Sequence, residues 1–267
     1  MMFGFIKNKP LLDDAASQWL FDAFAWALRH FDADVFYQET LLVTPTNRHF
    51  PGRESSAEGM ALLIFDQVKQ YAGMKHWPCQ LVAANDPAVN APVQVRIEGP
   101  VRGSKALVAQ PADSNHRLVI PYTTQQLAKP EAFIAQFAHV LAHYLGQTAD
   151  EPPPGGESFW PQATEVLAVF MGFGLMIANS AYTFRGGCGS CYNPLAERSA
   201  SLSQDEATYA LAIFSVLKDI PNKDVLAHLK SYLRPAYKKA VKEIRQNAKI
   251  AALQHSLALP PQISANS

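Results

Sequence analysis

Apolar positions along the chain change their period, and the changes mark out its elements. Leu20, Phe21, Phe24, Leu28 and Phe31 recur every three to four residues, the spacing of one helix face, behind the N-cap candidates Asp13 and Asp14. Ser55 followed by Glu58 reads as a capping box opening a helix to about Tyr71. Short strand candidates lie at Leu41–Thr44, Gln80–Ala84, Val93–Glu98, Ala106–Gln110 and Arg117–Tyr122, separated by Pro, Gly, Asn and Asp. Helical spacing then returns. Pro130 suits a first turn and Gly146 an end, and a long apolar helix is expected from Gln162 to about Tyr182. Ser203 with Glu206 forms a second capping box, and further helices start near Lys223 and Pro235. Strands and helices are segregated rather than alternating, which predicts an α+β fold.

Composition supports a packed protein. Of 267 residues, 48% are hydrophobic and 17% charged, and a chain of this length can bury a full core. Its three cysteines are too few for a disulfide framework. The organisation expected is a single domain over 1–267, with 203–258 as a helical C-terminal subdomain and 259–267 as a frayed tail. The longest apolar run, Val166 to Ala178, has 13 residues, short of the roughly 18 that span a membrane. The opening MMFGFIKNKP lacks a signal-peptide core, so the expected address is the cytoplasm. Lys plus Arg equals Asp plus Glu at 23 each, but residues 222–253 hold eight basic and two acidic residues. That segment reads as a solvated helix face; it lacks the interleaved aromatics that stack bases, so a nucleic-acid partner is not expected.

Candidate chemistry centres on Phe137-Ala-His139-Val140-Leu141-Ala142-His143. Histidines four apart on a helix share a face, and both imidazoles can reach one metal ion. Eight histidines give about 0.2 such pairs by chance, so spacing alone is a weak signal. Ala132, Ala135, Gln136 and Ala142 surround the pair, and these small neighbours predict a cleft beside the 117–122 strand. Cys188-Gly-Ser-Cys191 is the other candidate, at about 0.02 chance pairs. A lone CxxC is half of a structural zinc site, which His139 and His143 would complete; free thiols are the plainer reading.

Residues 117–182, and more loosely the whole chain, resemble an uncharacterised bacterial family of predicted zincin-type metallopeptidases. The family carries His-Glu-x-x-His on a helix; His139 and His143 match its histidines, and the glutamate falls on Val140. A downstream Glu-x-x-Thr-Asp segment of gluzincin type is matched by Thr164 and Glu165, with its ligand glutamate falling on Pro161. LSQDEATYALAIFSVLK is also similar to the family. The resemblance implies a zincin-like fold, with a small sheet on a metal-site helix and a helical C-terminal extension. It implies zinc as the cofactor, held by His139, His143 and, as a substitute ligand, Glu165.

The departures fall where the chemistry would be done. A zinc peptidase needs a carboxylate to take a proton from the metal-bound water and hand it to the leaving amine. Val140 cannot do this, and Pro161 has no donor atom. No catalytic residue is therefore assigned. The expectation is a degenerate metallopeptidase, a pseudoenzyme retaining a binding or regulatory role toward a protein or peptide partner. Two alternatives stand beside it: a metal-dependent hydrolase with a relocated base such as Glu157 or Glu165, and an interaction protein stapled by a Cys188/Cys191/His zinc site.

Overall fold

A computed structural model of the chain describes residues 9–83, 97, 99–108, 117–181 and 200–255. Among the described residues the protein is mostly helical, with one two-stranded parallel sheet. Helix α1 (Asp14–His30) begins where the Asp13 carboxylate accepts the Ala16 N–H at 2.7 Å, and it buries Leu20, Phe21, Phe24 and Leu28. A short α2 (Ala33–Gln38) follows, a helix that its six residues were too few to announce by periodicity. Helix α3 (Ala57–Tyr71) is capped by Ser56, whose hydroxyl accepts the Gly59 N–H at 2.9 Å; this corrects the expected capping box one residue earlier.

Strands β1 (Cys79–Ala83) and β2 (Leu118–Tyr122) pair in parallel, Cys79 opposite Leu118 and Ala83 opposite Tyr122. Pro121 has no N–H to give a ladder, in keeping with a strand at a sheet edge. Two other strand expectations fail. Residues 41–44 are irregular: the Val43 N–H donates to the Gly172 carbonyl at 3.0 Å, not to a strand. Ser104–Val108 is a 3-10 turn. The Val93–Glu98 candidate lies almost wholly outside the described residues.

The rest is helical: α4 (Pro130–Gly146), α5 (Trp160–Ala168), α6 (Gly174–Ser180), α7 (Gln204–Leu217), α8 (Asn222–His228), α9 (Arg234–Arg245) and α10 (Ala248–His255). Between α5 and α6 the helix loosens into a π-type turn, Val169–Phe173, and kinks at Gly172 with φ 100°. A Cβ there would stand 2.1 Å from the Leu41 carbonyl oxygen, so only glycine fits. Through this kink the apolar stretch Glu157–Ser180 is long enough to cross a membrane, but 94% of its most apolar 18-residue window is buried inside the protein.

One hydrophobic core runs from α1 to α10. Helix α7 lies within it, packed on α1, α5, α6 and α9, with Ala207 to Ser215 all buried. Its start follows the sequence closely: the Ser203 hydroxyl accepts the Glu206 N–H at 3.2 Å, and the Glu206 carboxylate accepts the Ser203 N–H at 2.7 Å. Helix α9 buries Tyr237, Ala240, Val241 and Ile244 and turns Arg234, Lys238, Lys242 and Arg245 to solvent. The segment before α1 is tied to α9, since the Leu11 N–H donates to Glu243 at 3.1 Å.

Candidate functional site

His139 and His143 both lie on α4, one turn apart. The opposite side of this helix is core: Phe133 and Phe137 pack ring to ring at 4.4 Å, and Phe137 meets Phe65 of α3 at 4.9 Å. His143 is exposed, and its Nε2 lies 3.1 Å from the Gln147 side-chain nitrogen. His139 is half-buried. Val140 is half-buried and packs against the core, where an acid would lie partly out of water.

The small residues around the pair do not frame the expected cleft. Ala135, Ala138 and Ala142 are fully buried, and α4 packs along α5 and α6. A Cβ at Gly146 would come within 2.9 Å of the Trp160 ring. Small side chains on this face let two helices approach closely.

Glu165 is fully buried on α5. Its Oε1 accepts the Ser201 N–H and its Oε2 the Leu202 N–H, both at 3.1 Å. The carboxylate thereby ties α5 to the segment entering α7. No three His, Cys, Asp or Glu side chains form a metal-holding group among the described residues, so His139, His143 and Glu165 are not brought together as a ligand set. Pro161 is exposed in the first turn of α5, and Glu157 is exposed in the turn before it. Cys188 and Cys191 lie outside the described residues.

Asn179 and His49 are buried polar groups held by the chain. Asn179 donates to Glu131 at 3.1 Å and to the His228 carbonyl at 3.0 Å, and accepts the Lys230 N–H at 3.0 Å, joining α6 to α4 and α8. His49 lies 7% exposed, and its Nδ1 is 2.8 Å from the Thr44 hydroxyl and accepts the Thr44 N–H at 3.3 Å. Burial, then the nearby Arg48 and His228, lower its pKa, so the neutral ring that this N–H contact requires is favoured. Burial pushes the Cys79 thiol up to about 11, and it raises Tyr144.

Sequence reasoning passed over Arg102. The segment Val101-Arg102-Gly103-Ser104-Lys105 reads as a surface turn, yet Arg102 is 1% exposed. Its partners, Ala72 and Thr40, are 30 and 62 residues away in sequence, so no local pattern announces them. No family model, curated protein or solved structure matches this chain.

Proposed function

We propose that this chain is a metallopeptidase-like protein that does not hydrolyse peptides and acts instead by binding a protein or peptide partner. The observation that carries the reading is the commitment of Glu165. Its two oxygens each accept a backbone N–H, so the carboxylate is engaged in tying α5 to the entry of α7. Val140 supports the same conclusion, since no proton acceptor stands between the two histidines. In this reading α4 with α5 and α6 is the frame of a zincin-type helix pair. It keeps the histidines, which are imidazole donors of the kind zinc accepts, but lacks the carboxylates of a working site.

The test is peptide hydrolysis by zinc-supplemented protein, together with elemental analysis of the purified chain. Hydrolysis at background, unchanged in His139→Ala, is the expected result. Loss of the general base alone is worth about 10²–10⁴-fold. Val140→Glu is expected not to restore turnover, because Pro161 supplies no ligand. Zinc-dependent turnover in the unmodified protein that His139→Ala abolishes would overturn the reading.

A further inference from the structure

Helix α9 carries a row of four exposed cations, Arg234, Lys238, Lys242 and Arg245. At 100° per residue they fall within an arc of about 80°, and at 1.5 Å per residue the row is about 16 Å long. The helix cannot roll away from this arrangement, because Tyr237, Ala240, Val241 and Ile244 hold its other side in the core against α7. Lys239 and Glu243 are engaged elsewhere: the Lys239 ammonium donates to the Lys9 carbonyl, and Glu243 accepts the Leu11 N–H at 3.1 Å. No ion pair joins any of the four cations to a carboxylate among the described residues.

A face built only for solvent mixes signs at steps of four, so that neighbours attract. Here Arg234–Lys238 and Lys238–Lys242 are both like-charged steps of four, and each weakens the helix. Lys242 and Arg245 lie in the last turn, where the helix dipole favours cations, but Arg234 lies in the first turn, where it disfavours them. Arg234 offsets this only in part, its Nε donating to the Leu229 carbonyl at 3.0 Å. The row therefore works against the helix that carries it, which marks a surface shaped by a requirement other than stability. The charge is also concentrated: residues 222–253 hold eight basic and two acidic residues in a chain of zero formal net charge. Such an imbalance turns this side of the molecule toward negative charge.

The form of the face selects among polyanions. It is the outer side of a helix, not a groove that would grip a peptide. No amide side chain stands between the four cations to read base edges, and no exposed aromatic ring lies among them for bases to stack on. A lipid leaflet demands neither groove nor register, since its headgroups move to meet fixed charges. Two residues ahead of Arg234, Tyr232 is 53% exposed, its hydroxyl accepting from the Gln204 amide at 3.2 Å. A ring with one polar edge suits the depth of lipid headgroups. We propose that the outer face of α9 docks on an anionic phospholipid surface through Arg234, Lys238, Lys242 and Arg245. The apolar side of α9 stays in the core, so the contact is electrostatic and reversible, without insertion. It rests on α9 alone and is independent of the reading of the histidines.

The test is flotation of the purified chain with vesicles of phosphatidylcholine, with and without about 30% phosphatidylserine. Binding is expected only to the serine lipid, and it should disappear as salt rises from about 0.1 M to about 1 M, where the screening length falls from about 10 Å to about 3 Å. Each cation near an anionic leaflet is worth roughly a fivefold gain, so Lys238→Ala with Lys242→Ala should lose about 25-fold in affinity. That double variant removes both like-charged steps and is expected to melt at or slightly above the wild-type temperature, which separates lost binding from unfolding. Lys75→Ala, at an exposed lysine outside α9, should bind as the wild type does. No preference for the serine lipid, or a preference that survives the double substitution, would overturn the proposal. So would tighter binding of a single-stranded oligonucleotide or of polyglutamate at the same salt.

Discussion

Glu165 and Arg102 are both ionisable, both essentially sealed from solvent at 0% and 1% exposure, and treated differently by the fold. Each oxygen of Glu165 accepts a backbone N–H, and the group fixes the entry to α7. The guanidinium of Arg102 donates from Nε to the Ala72 carbonyl and from Nη2 to the Thr40 hydroxyl, and Nη1 finds no acceptor among the described residues. A buried charged group whose neighbours satisfy it acts as a structural tie. One left partly unsatisfied is a cost that the rest of the fold carries. The contrast separates the two groups by accounting for hydrogen bonds, where burial alone would class them together.

The sharpest way to test the contrast is to remove each charge. Glu165→Ala leaves two N–H groups near α7 without their acceptor and should cost about 2–4 kcal/mol, read as a lower denaturant midpoint. Glu165→Gln keeps one acceptor oxygen and is expected to cost about half as much. Arg102→Met removes a charge that the fold does not fully satisfy but leaves the buried Ala72 carbonyl without its donor, so it should cost less than Glu165→Ala, about 1 kcal/mol. A large loss in Arg102→Met with a small one in Glu165→Ala would reverse the assignments.

A third buried group extends the comparison through pH. His49 has a folded pKa below the ordinary 6.5 because burial disfavours the cation. On acidification the unfolded chain therefore takes up the proton first. The stability contributed by neutral His49 is complete above pH 6.5 and is lost as pH falls through 6.5 toward the folded value. Denaturation midpoints at pH 7.5, 6 and 5 should show this decline, and His49→Gln should flatten part of it. The smallest effect is expected at Cys79, where burial simply keeps the thiol neutral. With its pKa near 11, about a thousandth of it is thiolate at pH 8, so alkylation of the native protein should be far slower than of unfolded chain.

What the sequence made legible was local. The Asp13 cap, the Ser203–Glu206 box and the Pro130–Gly146 limits of α4 each depend on residues within a turn or on the helical period, and each appears in the structure. The histidine pair falls on one helix for the same reason. The misses are tertiary. Residues 41–44 carry strand-like side chains, but the Val43 N–H is taken by Gly172, 129 residues on. The long helix was read as continuous because nothing in its apolar run signals that the Leu41 carbonyl presses against it at Gly172. At the site, Glu165 matched a motif position, yet its role is fixed by amides 36 and 37 residues downstream. Small residues beside the histidines predicted space, whereas helix packing filled it.

The tie between Leu11 and α9 has a consequence for how the protein is made. A ribosome adding about 5–20 residues per second releases Leu11 roughly 12–46 s before Glu243, which is 232 residues later. For most of that interval α1 also lacks α7, whose Tyr209 ring meets Phe21 at 6.3 Å. The first helix therefore emerges with a stripe of aromatic and aliphatic side chains that waits first for Trp160 and Phe170, which meet Trp26 and Phe24, and then for α7 to complete its cover. Synthesis of this protein places a long demand on whatever shields nascent apolar surface in the cell. Slowing translation ahead of α7 should lower the yield of folded protein more than slowing it after α9.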